Sequence, residues 1–145
     1  KKQNISPDKI KLIKIKEGDE KLPFKENFFD NIFCMSVLSL LKTKENIALL
    51  VGEFYRILKP RGKLIIDING PEAAFKKEGK FISDDEYQSH VKDGIYIKTY
   101  CPKSLEVFSK LFEKFQIDDL GEVKFKYLNF MNHEFIACVQ KKNKF

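Results

Sequence analysis

Residues 9–38, KIKLIKIKEGDEKLPFKENFFDNIFCMSVL, carry the pattern on which the fold prediction depends. Ile10–Lys16 alternates apolar residues with lysines, which is typical of a strand at a sheet edge, where charge discourages pairing with another chain. Asp30–Leu38 is almost continuously apolar, as expected for a strand that is covered on both faces. A Gly-Asp pair and a Leu-Pro-Phe triplet stand between them, so we expect the chain to turn before it enters the second strand.

A helix and another strand follow within short distances. Lys44–Leu58 has apolar residues at helical spacing, and Thr43 is suited to cap its first turn. Pro60 and Gly62 are expected to stop the helix and turn the chain. Lys63–Asn69 is again an apolar run, so the order strand, helix, strand predicts a right-handed βαβ unit.

The segment 71–100 is more polar, which predicts an insertion on the domain surface. Within it we expect a helical turn at Glu72–Lys77, a short helix at Asp84–Val91 and a strand at Ile95–Tyr100.

The last part of the chain predicts a helix and a hairpin. Lys103–Phe115 has an amphipathic helical pattern. Glu122–Phe130 alternates with lysines like a second edge strand, and Glu134–Gln140 is continuously apolar like a central one. The short join Met131-Asn132-His133 predicts an antiparallel hairpin with His133 in solvent.

Composition narrows the class of protein. A chain of 145 residues with 43% hydrophobic residues is expected to form one domain with a core of its own. Its charge of +6 is compatible with a nucleic-acid or acidic membrane partner, but the lysines are spread evenly, which favours a solubilising surface. The apolar runs are too short to span a membrane. Three scattered cysteines predict neither a zinc site nor a disulfide framework and favour a reducing cytoplasm.

Two motifs carry a family resemblance. EGDEKLPFKENFFDNIF (17–33) and FYRILKPRGKLIIDI (54–68) resemble the class I S-adenosylmethionine-dependent methyltransferases that act on small molecules. The resemblance implies an α/β fold with a Rossmann-like, mostly parallel sheet that ends in an antiparallel hairpin. It puts the third and sixth family strands at the two edges, which correspond to Ile10–Lys16 and Glu122–Phe130.

The resemblance also implies that part of the domain is missing from this sequence. The two first family strands and their glycine-rich cofactor loop would lie before Lys1, so residues 1–145 are expected to form one partial domain. Activity of this chain alone is therefore not expected. The insertion at about 71–100 would cover the substrate site.

The resemblance assigns a cofactor, S-adenosyl-L-methionine, and residues that bind it. Gly18, Asp19 and Glu20 would face the nucleoside, because an ionised carboxylate can accept a hydrogen bond from the adenine amino group; a plain polar turn is the alternative. Cys34, Met35 and Ser36 would contact the methionine part of the cofactor, largely through their backbone. Cys34 itself is expected to be an inert buried thiol.

Other residue roles are less defined by the sequence. Tyr87, His90 and Tyr96 are candidates for substrate contact, with an ordinary surface helix as the alternative. No catalytic residue stands out, and no metal site is predicted. Arg61 stands where the family pattern has glycine, so we expect a turn that arginine tolerates.

The predicted function is methyl transfer from S-adenosylmethionine to a small-molecule acceptor in the cytoplasm. A non-catalytic Rossmann-like module that binds a partner protein is one alternative. An RNA-modifying methyltransferase is another, although only the positive charge favours a nucleic-acid partner. The acceptor, the pathway and the oligomeric state stay open, and no membrane partner is expected.

Overall fold

The computed structural model of the chain describes residues 9–15, 21–73, 79–83, 86–91 and 95–143. Strand β1, helix α1 and strand β2 come first, and three short strands follow before a short helix and a long hairpin. In chain order the elements are β1 Phe29–Cys34, α1 Lys44–Ile57, β2 Leu58–Asn69, β3 Lys80–Ser83, β4 Glu86–Val91, β5 Ile95–Tyr100, α2 Leu105–Ser109, β6 Phe115–Tyr127 and β7 Phe130–Lys141. Short 3₁₀ turns occupy Leu38–Leu40 and Lys110–Phe112.

The strands form two sheets. The larger one has the order β1-β2-β7-β6, and the smaller one has the order β3-β4-β5. In the larger sheet β1 and β2 are parallel, whereas β7 is antiparallel to both β2 and β6. The last strand of the chain therefore lies inside the sheet and runs against its neighbours.

The core lies between α1, α2 and one face of the larger sheet. Leu64, Ile66 and Ile68 alternate along β2 and are buried together with Phe135, Ala137 and Val139 of β7. The α1 residues that meet them follow helical spacing: Ile47, Val51, Phe54 and Ile57. Burial of this face fixes the register, since a slip by one residue would turn the apolar set to the other side.

Several predictions are confirmed by these elements. Helix α1 begins after Thr43, whose side chain accepts a hydrogen bond from the Asn46 amide, and it ends at Ile57. The α1 crossover joins two parallel strands, and β5 matches its predicted bounds. β6, which includes most of Glu122–Phe130, lies at the edge of the larger sheet.

The predicted edge strand Ile10–Lys16 is not observed. Residues 10–15 have no regular secondary structure, and Lys16 lies outside the described residues. Leu12 is 94% exposed. A strand needs a neighbouring strand for its backbone hydrogen bonds, and the described part of the chain offers this segment none.

The predicted strand Asp30–Leu38 is shorter and more open than expected. β1 ends at Cys34, and Phe33 is 71% exposed, so only one of its faces is covered. β1 is the last strand on its side of the described sheet. The continuous apolar pattern predicted that both faces of this strand would be buried, and the described residues bury only one of them.

The sheet of strands β3, β4 and β5 replaces one predicted helix. Asp84–Val91 was expected to be a helix, but Glu86–Val91 pairs with both β3 and β5. Residues 71–73 form a turn, and the rest of the predicted turn Glu72–Lys77 lies outside the described residues. Pairing on both sides overrides the weak helical pattern of this polar segment.

The C-terminal helix and hairpin differ from prediction in their bounds. α2 covers only Leu105–Ser109, and Ser104 caps it by accepting a hydrogen bond from the Val107 amide. The hairpin turns at Leu128 and Asn129, both with positive φ, and not at 131–133. His133 is consequently in β7 and 1% exposed, so the prediction of a solvated histidine is wrong.

Candidate functional site

The candidate site lies at the carboxyl ends of the parallel strands β1 and β2, where open α/β sheets have their ligand crevice. Ligands of open α/β sheets bind at this end of the strands. β1 delivers the Cys34-Met35-Ser36 segment here, and β2 delivers Asp67 and Asn69. Cys34 is buried, whereas Met35 is 43% exposed, so apolar surface faces solvent just where the strand ends.

Ser36 leaves β1 in an unusual conformation. Its φ is 58°, in the left-handed region, which costs a residue other than glycine about 1–2 kcal/mol. The amide of Ser36 donates a hydrogen bond of 2.6 Å to Oδ1 of Asp67. Hydrogen bonds to charged groups contribute about 1.5–3 kcal/mol, so this contact is strong enough to offset the backbone cost.

The electrostatics of the crevice centre on Asp67, which is 3% exposed. Burial raises the pKa of Asp67, and the Ser36 amide partly opposes this by favouring the charged carboxylate. Burial also raises the pKa of Glu134 on β7, and the charge of Asp67 adds to the effect. Burial first, and then Asp67, raise the pKa of the Cys34 thiol to about 11. Cys34 is therefore protonated at neutral pH and is no nucleophile.

The smaller sheet is attached to the rim of this crevice. Thr99 of β5 donates a hydrogen bond of 2.8 Å from its hydroxyl to the carbonyl of Ser39, three residues after Ser36. The Cys101 thiol lies 3.4 Å from the carbonyl of Asn69 at the end of β2. Residues 99 and 101, at the end of β5, thus contact the segment after β1 and the carboxyl end of β2.

His133, a buried residue of β7, lies beside the carboxyl end of β2. Gly70 donates its amide to the carbonyl of His133, and a Cβ on Gly70 would lie 2.7 Å from the imidazole ring, so only glycine fits. Nδ1 of His133 accepts the Glu72 amide at 3.0 Å, and Nε2 lies 3.0 Å from a carboxylate oxygen of Glu122. These contacts fix the exit of the chain from β2.

The Leu-Pro-Phe triplet is held by helix α1. Arg56 donates hydrogen bonds to the carbonyls of Phe24 and Leu22, at 2.7 and 3.0 Å. Glu53 accepts the Leu22 amide at 2.8 Å and pairs with Arg56. This pair, which we call the Glu53–Arg56 clamp, attaches the loop before β1 to the helix after it.

The structure describes only some of the predicted site residues. Cys34, Met35 and Ser36 lie together at the end of β1, as expected. Gly18, Asp19 and Glu20 lie outside the described residues.

The three candidate substrate residues are on the smaller sheet. His90 and Tyr96 are cross-strand partners, whereas Tyr87 pairs with Thr99.

Sequence reasoning missed Asp67, Glu134 and the clamp. Asp67 interrupts an apolar strand that was expected to be wholly buried, and a lone acid in such a run was the available signal. Glu134 and the clamp gave no comparable signal, because charged residues are common at partly exposed positions of helices and strands.

A second concavity lies at the opposite end of the larger sheet. It has a volume of about 770 Å³, and its lining includes Arg61, Phe112, Gln140 and Lys142. It meets the amino end of β2, whereas sheets of this kind bind ligands at carboxyl ends. We therefore place the candidate site at Ser36 and Asp67. Among the described residues no group of three or more His, Cys, Asp or Glu converges to hold a metal ion.

Comparison with known proteins identifies the fold. Residues 1–66 match a family described as Methyltransferase domain. An uncharacterised protein of Methanocaldococcus jannaschii is 35% identical over 80 residues, which cover 52% of this chain and 34% of that protein. A SAM-dependent methyltransferase from Methanosarcina mazei has a TM-score of 0.68 at 15% identity, over 86% of this chain and 65% of its own.

A further similar structure was solved with ligands. It is the 1,6-didemethyltoxoflavin-N1-methyltransferase of Burkholderia thailandensis, with 1,6-didemethyltoxoflavin and S-adenosylhomocysteine bound. Its TM-score is 0.54 at 13% identity, and the match covers 86% of this chain and 48% of that one. The present chain thus spans 34% of the curated relative and 48–65% of these two structures.

The chain has the class I S-adenosylmethionine-dependent methyltransferase fold. The Rossmann-like α/β class that the sequence predicts is confirmed, because solved SAM-dependent methyltransferases share this fold. The described larger sheet is mixed and not mostly parallel, because two of its three strand pairs are antiparallel. None of the described helices is long and apolar enough to cross a membrane.

Proposed function

We propose that this chain is part of an enzyme that transfers a methyl group from S-adenosyl-L-methionine to a small-molecule acceptor. The observation that supports it most is the reversed β7 between β2 and β6, next to two parallel strands whose carboxyl ends lie side by side. The family match over residues 1–66 covers one of those strands and most of the other.

The residues at the crevice fit one side of the cofactor. Met35 and Val37 offer exposed apolar surface at the point where the chain leaves β1. Gly18, Asp19 and Glu20 would contact the nucleoside, and Cys34, Met35 and Ser36 the methionine part. The cofactor, when bound, supplies a methyl group on a positively charged sulfur.

The contribution of the protein would be orientation and exclusion of water. Methyl transfer is a displacement in line with the departing sulfur, so alignment of donor and acceptor supplies most of the rate. Asp67 and Glu134 lie at the crevice, but neither is needed as a nucleophile. The absence of an obvious catalytic residue in the sequence agrees with this chemistry.

The smaller sheet, within the insertion at about 71–100, is our candidate for the acceptor side. Its attachment through Thr99 to Ser39 puts it beside the crevice. Tyr87, His90 and Tyr96 of this sheet are the residues that we propose for acceptor contact. A small acceptor would suit a space between this sheet and the ends of β1 and β2.

The experiment is ligand binding by the protein expressed from its complete coding sequence. S-adenosylhomocysteine should raise its thermal midpoint, because a ligand that binds only the folded state stabilises it by mass action. Transfer of labelled methyl groups to a panel of small acceptors, with RNA as a further acceptor, then separates the substrate classes. No thermal shift would overturn the proposal in favour of a non-catalytic module.

We also propose a cytoplasmic location. Cys34 and Cys138 are free thiols, and Cys34 is buried. Free thiols persist in reducing compartments. Fractionation of cells that express the tagged full-length protein would test this directly.

A further inference from the structure

The conformation of Ser36 needs an external cause. Its side chain is exposed, so packing of that side chain does not hold the residue at a φ of 58°. The amide is instead fixed by the 2.6 Å hydrogen bond to Asp67. A serine that is not restrained would favour negative φ, and the chain would then leave β1 in another direction.

Asp67 is a rigid acceptor for this bond. It stands in β2 between Ile66 and Ile68, which are both in the core, and its backbone is paired with Ile136 of β7. A carboxylate on a central strand moves little, so it can impose a conformation on the free segment that follows β1.

The burial of an acid here is unfavourable for the stability of the fold. Asp67 is 3% exposed, and its charge repels the half-buried carboxylate of Glu134. An apolar residue at this position would extend the core run of β2 without that cost. Unlike an apolar residue, Asp67 can accept the hydrogen bond that fixes the Ser36 backbone.

From these contacts we infer that Asp67 is a positioning residue for the cofactor. It holds the Met35–Ser36 peptide in the left-handed exit from β1 and so orients the backbone groups that face the crevice. The inference rests on the proposed function, in which residues 34–36 bind the cofactor through their backbone. Asp67 acts through Ser36 and needs no contact with the ligand itself.

The experiment is calorimetric titration of the complete protein with S-adenosylhomocysteine. Asp67→Ala should weaken binding about tenfold, which corresponds to the loss of one charge-assisted hydrogen bond. Asp67→Asn keeps an oxygen that can accept the Ser36 amide, so it should stay within about threefold of the wild type. Equal weakening by both variants would overturn the inference.

A double-mutant cycle separates positioning from general damage to the fold. Glycine adopts positive φ freely, so in a Ser36→Gly background the conformation no longer depends on Asp67. Asp67→Ala should then weaken binding by less than about threefold, a coupling that a purely structural role would not give. The same loss in both backgrounds would contradict positioning. Asp67→Val, with a similar volume, replaces Asp67→Ala if the alanine variant does not fold.

Arg61→Gly is the matched control for the glycine substitution. Arg61 also has positive φ, at 63°, but it lies six residues before Asp67 and thus about 20 Å away along β2. It should leave binding of S-adenosylhomocysteine unchanged. If the wild type does not bind S-adenosylhomocysteine, the proposed function falls and the inference with it. If the wild type binds and Asp67→Ala binds equally well, only the inference falls.

Discussion

At the scale of single residues, two positions show how this chain departs from ideal backbone geometry. Ser36 and Arg61 both have positive φ without being glycine. At Ser36 a side chain of the neighbouring strand supports the conformation. Arg61 lies in the Pro60–Gly62 stretch, where the pairing of β1 with β2 is irregular. The expectation that the turn would tolerate arginine is therefore wrong in its geometry, since the strained φ is present.

Arg61→Gly should stabilise the protein. The substitution removes the cost of about 1–2 kcal/mol for a left-handed backbone at a residue other than glycine. It also raises the conformational entropy of the unfolded chain, which lowers stability by up to about 1 kcal/mol. We expect a net gain of about 0.5–1 kcal/mol in the free energy of unfolding, measured by urea denaturation. Arg61→Ala, which keeps the penalty, should show no such gain, and a gain of equal size would refute the strain at this position.

Asp67→Asn should change how stability depends on pH. Burial raises the folded-state pKa of Asp67, so the folded protein holds this proton more tightly than the unfolded chain. The free energy of unfolding of the wild type therefore falls as the pH rises above the ordinary pKa of aspartate. The variant has no carboxyl group at residue 67, so it lacks this pH-dependent loss. Glu134 and Cys34 also respond to the charge of Asp67, and their responses act in the same direction.

The measurement is the free energy of unfolding of both proteins between about pH 4 and pH 7. The advantage of Asp67→Asn over the wild type should grow as the pH rises. Asp119→Asn makes the same change at an exposed position and serves as the control. An advantage that shrinks with rising pH would contradict the assigned direction of the shift.

Thiol reactivity should follow burial and pKa. Cys34 is 3% exposed and has a pKa of about 11, so only about one thiol in a thousand is ionised at pH 8. Cys138 is half-buried in the opposite face of the sheet. Alkylation by iodoacetamide, mapped by mass spectrometry on the folded protein, should modify Cys138 well before Cys34. The reverse order would mean that Cys34 is activated.

At the scale of elements, the Glu53–Arg56 clamp links the loop before β1 to α1. Arg56→Ala should lower the thermal midpoint, because it removes the hydrogen bonds to the Leu22 and Phe24 carbonyls and the ion pair with Glu53. Lys59→Ala breaks an exposed ion pair with Asp30 and is the matched control. Arg56→Ala should destabilise more than Lys59→Ala, and equal melting curves would show that the clamp contributes nothing.

Elements with strong local signals were predicted well from the sequence. Helix α1 combines an N-cap with a clear apolar stripe, and both signals agree with the observed bounds. β2 and β7 have apolar runs that a buried strand requires. The edge position of β6 was predicted from its alternating lysines. This signal comes from the sequence of that strand alone and needs no knowledge of its partner.

Elements that depend on partners were predicted poorly. Residues 10–15 have the pattern of a strand but no observed neighbour, and Glu86–Val91 became a strand because two neighbours pair with it. The observed hairpin turn is at Leu128 and Asn129. Asparagine adopts positive φ readily but leucine does not, so the pair gave a weak turn signal. Of the site, the sequence indicated residues 34–36, whereas Asp67 depends on a contact between residues 31 positions apart.

At the scale of the whole molecule, topology relates the chain to methyltransferases more firmly than any single residue does. The order β1-β2-β7-β6, with β7 reversed, brings the two parallel carboxyl ends together. The smaller sheet then meets the same rim through Thr99. An insertion attached beside the ends of two parallel strands suits a reaction that needs alignment of two substrates.

A crystal structure of the complete protein with S-adenosylhomocysteine would test the placement of the site. We predict that the ligand lies against the backbone of residues 34–36, with Ser36 still bonded to Asp67. Ligand bound instead in the concavity between Arg61 and Lys142, or a crevice at the ends of β1 and β2 that stays empty at saturating ligand, would contradict it.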